Sequence, residues 1–332
     1  MGYSKIVGLG HYVPERVITN EYLSTQMDTN NEWIIERTGI EQRRWIDPSK
    51  DTVANMAAKA TRMALERAKL SEKDIEFIVF ATITPDYFFP GSGVLLGREL
   101  GLEGIPALDI RNACSGFIYA LSVADQFIKT GMYKTVLVIG AEIQSTALDV
   151  STRGRNTAVI FGDGAGAAIL QPSDKPGILS THLHADGRFA EDLYIKDPGS
   201  SRPNSERQPE QILDTSTYKV VMNGNQVFKH AVVKFMEVIV EALEANKLTK
   251  EDISMLIPHQ ANLRISQYIK EKLGLPDDHV YNNIQRYGNT TAASIPIALS
   301  EAWAEGKVNE NDLICLAAFG SGFTWASALI RW

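Results

Sequence analysis

The chain repeats itself. Leu70-Ser-Glu-Lys-Asp-Ile-Glu-Phe-Ile-Val-Phe-Ala81 aligns with Leu248-Thr-Lys-Glu-Asp-Ile-Ser-Met-Leu-Ile-Pro-His259, at an offset of 248 − 70 = 178. Ala120-Leu121 and Ala298-Leu299 stand at the same separation, 298 − 120 = 178, and so do Val136–Val138 and Ile314–Leu316. One offset shared by three elements predicts two similar α/β units, 1–172 and 173–332, each burying an apolar face against the other. With 332 residues there is ample core for both.

The local pattern fits alternating strands and helices. Residues 3–10 read as a strand. Short helices follow from Asn20 and from Asn30, the second closed by Gly39. Thr52 to Lys69 is amphipathic, with Val53, Met56, Ala57, Ala60, Ala64 and Leu65 on one face. Ile75–Ala81 and Thr135–Ile139 are read as strands, and their continuous apolar parts, from Phe77 and from Val136, mark burial on both faces. A helix is expected over Gly91–Leu100 and strands over Ala107–Ile110 and Ala167–Leu170, the last after Gly162-Asp-Gly-Ala-Gly166. Residues 196–214 break the texture. They are polar, with prolines and serines, and read as a lid-like excursion or a surface loop. Helical pattern resumes at Gly224 and runs to Leu243.

Composition narrows the function. A net charge of −7 without a basic block argues against nucleic acid. No apolar run approaches the roughly 20 residues that span a bilayer. Two cysteines make no disulfide framework, which fits a reducing cytoplasm, and the six histidines are scattered without zinc spacing. No metal and no resident cofactor are expected.

Ligands of open α/β sheets gather at the carboxyl ends of strands, so twin units bring two sets of loops to one cleft. Three candidates sit at such ends. Cys114 lies at a sharp turn between the strand Ala107–Ile110 and a helix running to Lys129, where free N–H groups and the helix dipole stabilise a thiolate. Gly116 lets the backbone bend there. Inert core is the other reading of this cysteine. His259 ends a strand directly before the helix Leu263–Leu273, as a reactive group or a satisfied loop histidine. Asn289 opens another helix, as a donor or as an N-cap. Together, Cys, His and Asn at strand–helix junctions point to acyl transfer: a thiolate takes an acyl group and neutral donors stabilise an enolate or oxyanion.

Asn112-Ala-Cys114-Ser-Gly-Phe, Phe161-Gly-Asp-Gly-Ala-Gly166, Pro258-His259-Gln-Ala-Asn-Leu-Arg264-Ile, Gly288-Asn289-Thr and Phe319-Gly-Ser-Gly-Phe-Thr-Trp-Ala-Ser resemble the β-ketoacyl-[acyl-carrier-protein] synthase III family, in order and over essentially the whole chain. The resemblance implies the thiolase fold, with duplicated α/β halves in a five-layered αβαβα core, and a homodimer. It implies condensation of a primer acyl-CoA with malonyl-acyl-carrier protein, releasing carbon dioxide and CoA and starting fatty-acid synthesis. Cys114 would carry the acyl group, and His259 and Asn289 would hold the malonyl thioester oxygen. The backbone N–H groups of Cys114 and Ser321 would form the acyl oxyanion hole. Ser321 stands where many relatives have glycine or alanine, which a backbone donor tolerates.

By the same resemblance, Trp33, Arg37 and Arg155 would bind CoA, by indole stacking on adenine and guanidinium contacts to phosphate. Their other reading is a helix anchor beside two solvated arginines. Asn262, Gly224 and Phe228 would line the pantetheine tunnel. Phe89 would cross the dimer interface to close the partner's acyl pocket, unless Phe88-Phe89-Pro90 is ordinary core. Acyl-carrier protein is acidic, and Lys229, Arg264 and Lys272 would receive it. Lys270 is nearby, but Glu271 replaces a family lysine.

Other readings remain at this point. A specialised relative could serve secondary-metabolite or long-chain assembly, or only transfer acyl groups. Thiolases carry a second catalytic cysteine, whereas Cys315 reads as core within Leu313–Ala317. Elongating synthases use two histidines, and plant-type polyketide synthases are longer. A non-catalytic acyl-CoA or carrier-protein scaffold is expected to lack the triad.

Overall fold

A computed structural model describes residues 2–196 and 219–332 of the chain. Most of the polar stretch 196–214, with its expected covering role, lies outside the described residues.

Two sheets face each other across a pair of helices. The first sheet has the strand order Tyr3–Tyr12, Gly164–Ser173, Val136–Glu142, Phe77–Ala81, Ala107–Ile110. Its last three strands run parallel, and the other neighbours pair antiparallel. The second has the order Met255–Pro258, Leu313–Gly320, Thr324–Arg331, Ile178–Ala185. Only its first pair is parallel.

The duplication extends to the hydrogen-bond ladder. Phe77 pairs with Val136 and Met255 with Ile314, and 255 − 77 = 314 − 136 = 178. One strand was not kept. The pairing of Ile78 with Ala107 survives in the second sheet only as an isolated bridge between Leu256 and Val280.

Five layers follow from where apolar residues can go. Along Phe77–Ala81, Phe77, Val79 and Ala81 face the middle of the molecule, while Ile78 and Phe80 face outward. Neither face meets water, as the unbroken run predicts. The middle layer holds the helices Gly116–Lys129 and Ser294–Ala304, whose Ile118, Leu121, Ile295 and Leu299 share one core with both sheets. The helix Val53–Ala68 covers the outer face of the first sheet. Thr52 and Asn55 start it with reciprocal caps. Gly224–Ala245 and Leu263–Leu273 cover the second through Phe235, Ile239, Ile265 and Ile269.

Element boundaries shift by one to three residues from expectation, and one shift matters for packing. The strand expected over Ala167–Leu170 begins three residues earlier, at Gly164, so its glycines belong to the ladder. A Cβ on Gly166 would stand 2.6 Å from Pro296 Cβ, so glycine there lets the middle helix lie directly on the strand.

Two turns and two strand ends decide where the site forms. The 3-10 turn Ala113–Ser115 leads into one middle helix, and Thr291–Ala293 leads into the other, with 291 − 113 = 178. Both open with a left-handed residue, Ala113 at φ 47° and Thr291 at φ 50°. That conformation is uncommon for any side chain and rare for a β-branched one. The strand ends Glu142 and Gly320 are counterparts too, since 320 − 142 = 178. The Glu142 carboxyl receives the Ala292 N–H, whereas Gly320 abuts Cys114.

Candidate active site

Cys114, His259 and Asn289 line one cavity of about 620 Å³. Their exposures are 7, 3 and 5 %, so all three reach it from inside the fold. Cys114 arrives on the turn after the strand Ala107–Ile110, and His259 directly after Met255–Pro258. Asn289 belongs to the second half but is gripped by the first. Its N–H donates to the Ile160 carbonyl at 2.9 Å, and its own carbonyl accepts from Gly162 N–H at 3.0 Å.

Expectation and structure part over the Cys114 thiol. A helix start predicts a stabilised thiolate, yet the pKa is pushed up to about 12. Burial is the main cause and the Glu142 charge adds to it, while the N–H groups of Cys114 and Ser321 pull the other way. The helix end is there, but burial of the sulfur outweighs it. The two N–H groups at the sulfur are the pair expected for an oxyanion hole. The Ser321 hydroxyl is occupied elsewhere, donating to the Leu193 carbonyl.

Gly320 makes this closeness possible. A Cβ built there would sit 2.7 Å from Cys114 Cβ, 2.9 Å from its nitrogen and 3.2 Å from Sγ. Gly320→Ala is expected to force the strand end and the turn apart, at about 1–3 kcal/mol of stability. Acylation of Cys114 should slow about tenfold to a hundredfold, because the reacting groups lose their alignment. Thermal melting and acylation rates by intact mass check both, and an unchanged rate would refute the crowding argument.

His259 is buried and neutral. Its Nδ1 lies 2.6 Å from Ser294 Oγ, which also accepts the Gln260 N–H at 3.4 Å. Its Nε2 is buried without a hydrogen-bond partner among the described residues. Burial lowers the ring pKa to about 3. Asn289 is not a helix N-cap: its Oδ1 accepts from Thr291 N–H at 2.8 Å, two residues on, while the helix begins at Ser294. That leaves the NH₂ end of the amide for the cavity.

Further out, Trp33, Arg37, Gly224, Phe228, Asn262 and Arg264 line the same cavity. Trp33 packs against the small core around Ile34 and Phe161, and two guanidinium groups lie beside its ring. The Arg37 guanidinium lies 4.4 Å from its ring centroid and that of Arg155 5.2 Å. Arg155 itself does not line the cavity and donates to the Asp28 carbonyl at 2.6 Å. Asn262 also caps its helix, accepting from Arg264 N–H at 2.9 Å and donating to the Arg37 carbonyl at 2.8 Å.

Lys229 and Lys272 are exposed and stand outside the cavity, and Lys270 is paired with Asp277. Phe89 is 81 % exposed, and Tyr87 and Phe88 are exposed beside it, which removes the core reading of that segment. Cys315 is fully buried in its strand, as expected.

Sequence reasoning missed Ser294, Glu142, Gln144 and Asp163. Glu142 is buried and accepts from the Thr82 and Thr84 hydroxyls and Ile83 N–H, yet burial raises its pKa to about 7. Asp163 accepts from the backbone N–H groups of Ile46, Gln144 and Ser145, and burial raises its pKa to about 6. Of these, Asp163 alone had a visible signal, its place inside the glycine motif. Among the described residues, no group of three or more His, Cys, Asp or Glu could hold a metal ion. Nor is any described helix long and apolar enough to cross a membrane.

A cysteine, a neutral imidazole and a primary amide around one buried chamber, in a five-layered duplicated α/β core, define an acyltransferase of the thiolase fold. The comparisons are specific. Residues 108–187 match the family model of 3-oxoacyl-[acyl-carrier-protein] synthase III, and residues 243–332 match the model of its C-terminal part. The beta-ketoacyl-[acyl-carrier-protein] synthase III of Alkalilimnicola ehrlichii is 46% identical over 333 residues, covering 100% of both chains. The crystal structure of 3-oxoacyl-[acyl-carrier-protein] synthase III from Aquifex aeolicus superposes with a TM-score of 0.90 at 44% identity, over 99% of this chain and 100% of that one. The priming beta-ketosynthase of the R1128 polyketide pathway gives 0.90 at 34% identity, over 99% and 96%. This chain belongs to the beta-ketoacyl-[acyl-carrier-protein] synthase III family, and it is a condensing enzyme.

Proposed function

We propose that the enzyme condenses a primer acyl-CoA with malonyl-acyl-carrier protein, through an acyl group carried on Cys114. The Cys114 sulfur attacks the primer thioester carbonyl, the carbon–sulfur bond to CoA breaks, and the thiol proton leaves with CoA. The malonyl thioester then places its carbonyl oxygen between His259 Nε2 and the Asn289 amide. Loss of carbon dioxide leaves the bond's electron pair on the thioester as an enolate, whose negative oxygen those donors hold. Its carbon attacks the acyl-cysteine carbonyl. The N–H groups of Cys114 and Ser321 take the resulting oxyanion, whose collapse breaks the carbon–sulfur bond and frees the sulfur as a thiolate that takes a proton from solvent.

The supporting observation is the convergence of Cys114, His259 and Asn289 on a cavity whose wall includes Trp33 and Arg37. We assign the His259 proton to Nε2. Ser294 Oγ, already accepting from Gln260 N–H, gives its own hydrogen to Nδ1. A neutral ring can donate one hydrogen bond without quenching the enolate. Trp33, with Arg37 and Arg155, is the expected seat of the CoA nucleotide, and Asn262, Gly224 and Phe228 line the way in.

The acyl-carrier protein would dock on Lys229, Arg264 and Lys272. Exposed Tyr87, Phe88 and Phe89, with half-exposed Leu108 on the free edge of the first sheet, support a homodimer through that surface. The cytoplasm suits both buried free thiols and a carrier-protein substrate. Likeness to a polyketide priming synthase keeps a second reading, in which the primer belongs to secondary metabolism.

One assay tests the reaction. The purified enzyme is given a panel of acyl-CoAs with malonyl-acyl-carrier protein, and products are read by mass. A β-ketoacyl-carrier protein is the expected product, and the preferred primer separates the two pathways. Acyl transfer without carbon–carbon bond formation would overturn the condensation.

The imidazole also sets a pH expectation. Its folded pKa is about 3, below the ordinary 6.5, so the ring stays neutral at both ends of the range from about pH 5 to 8. Carbon dioxide release from malonyl-acyl-carrier protein should show no loss centred near 6.5. Such a loss would mean that His259 titrates in the working enzyme.

A further inference from the structure

We infer that Gln144 is a positioning residue for Asn289, and that it lets the glycine motif 161–166 act on the second half-reaction. The inference rests on the reading of Asn289 as the enolate donor.

Asn289 can serve as a donor only if its amide is held with the NH₂ end toward the chamber. Its Oδ1 is fixed by the Thr291 N–H at 2.8 Å. That bond exists because Thr291 adopts φ 50°, a left-handed conformation that a β-branched residue resists. Something must hold Thr291 there. Gln144, 2 % exposed, donates from Nε2 to Thr291 Oγ1 at 2.8 Å. It reaches across from the end of the first-half strand to a side chain 147 residues away.

Gln144 is itself anchored from behind. Its backbone N–H donates to Asp163 Oδ1 at 2.7 Å, and the same carboxyl receives Ser145 N–H at 2.9 Å and Ile46 N–H at 2.8 Å. Asp163 lies in Gly162-Asp-Gly-Ala-Gly166, and Phe161 forms a bridge to Asn289. The motif therefore touches Asn289 twice: at its backbone through Ile160 and Gly162, and at its amide through Asp163, Gln144 and Thr291. Gln144 contacts neither the sulfur nor the imidazole in any hydrogen bond recorded among the described residues.

The consequence is a split between half-reactions. Gln144→Leu keeps the volume and removes the donor. Acylation of Cys114 by acyl-CoA should stay within about twofold, while carbon dioxide release from malonyl-acyl-carrier protein should fall about tenfold to a hundredfold, the scale of a small misplacement. Thr291→Val removes the same bond from its other side, so it should give the same split and serves if Gln144→Leu folds poorly. The double variant should lose no more than either single one. Thr291→Ser keeps the hydroxyl and should restore the ratio lost in Thr291→Val.

Asn289→Ala, run beside them, separates the two claims. If it leaves decarboxylation intact, the reading of Asn289 fails. If it suppresses decarboxylation while Gln144→Leu and Thr291→Val do not, only the role of Gln144 is overturned. An equal fall of both half-reactions in the Gln144 and Thr291 variants also overturns it, as general loosening of the fold.

Discussion

Cys114→Ser is expected to take up no acyl group from any acyl-CoA. The sulfur has no substitute nearby, since Cys315 is sealed in its strand. A serine hydroxyl at the same buried position would be harder to deprotonate than the thiol, whose pKa is already pushed up to about 12. Acylation should fall by a factor of about a thousand or more, the scale on which removing a nucleophile acts. Intact mass after mixing with acyl-CoA shows it directly: an added acyl mass on the native chain and none on the variant. An adduct that persists in Cys114→Ser would move the nucleophile elsewhere and dissolve the proposed sequence of steps.

The second large effect concerns the other half of the cycle. In Asn289→Ala the enolate keeps one side-chain donor, His259, and loses the other. Removing one such donor costs about 2.7–4 kcal/mol, or roughly a hundredfold to a thousandfold in rate. Carbon dioxide release should fall by that much, with Cys114 acylation within about a fewfold of normal. The substitution also frees the Thr291 N–H that Asn289 Oδ1 now takes, so melting should drop by about 1–3 kcal/mol. Equal damage to both half-reactions would argue that Asn289 supports the chamber and takes no part in the chemistry.

Much of the architecture was legible because it is written in apolar spacing. Runs such as Phe77–Ala81 announce strands buried on both faces, and the repeated Leu-x-x-x-Asp-Ile pattern announces the doubling. The loss of a full fifth strand from the second sheet was not legible, because Val280 remains apolar while its pairing shrinks to a single bridge with Leu256. The recurrence of the Ala113 and Thr291 turns was also hidden. Ala-Cys-Ser-Gly and Thr-Ala-Ala-Ser share a backbone path and almost no side-chain chemistry.

Among site residues, Cys114, His259 and Asn289 stand out because their side chains are the proposed reagents. Glu142, Gln144 and Ser294 do not, since they act through hydrogen bonds to groups far away in the chain. The state of the thiol was misjudged for a related reason. Sequence shows that Cys114 precedes a helix, but the depth of its burial depends on Gly320, far along the chain.

A molecule built twice would be expected to offer two equivalent workplaces, yet the counterpart of Cys114 is Ala292, 292 − 114 = 178, which has no sulfur. The difference lies in what closes each strand. Glu142 reaches over the later copy of the kink, its carboxyl taking the Ala292 N–H. Gly320 reaches nothing, and its missing side chain is the room in which a sulfur can meet a visitor. The twins thus differ by one side chain present and its counterpart omitted, and the copy without a thiol braces the copy that has one.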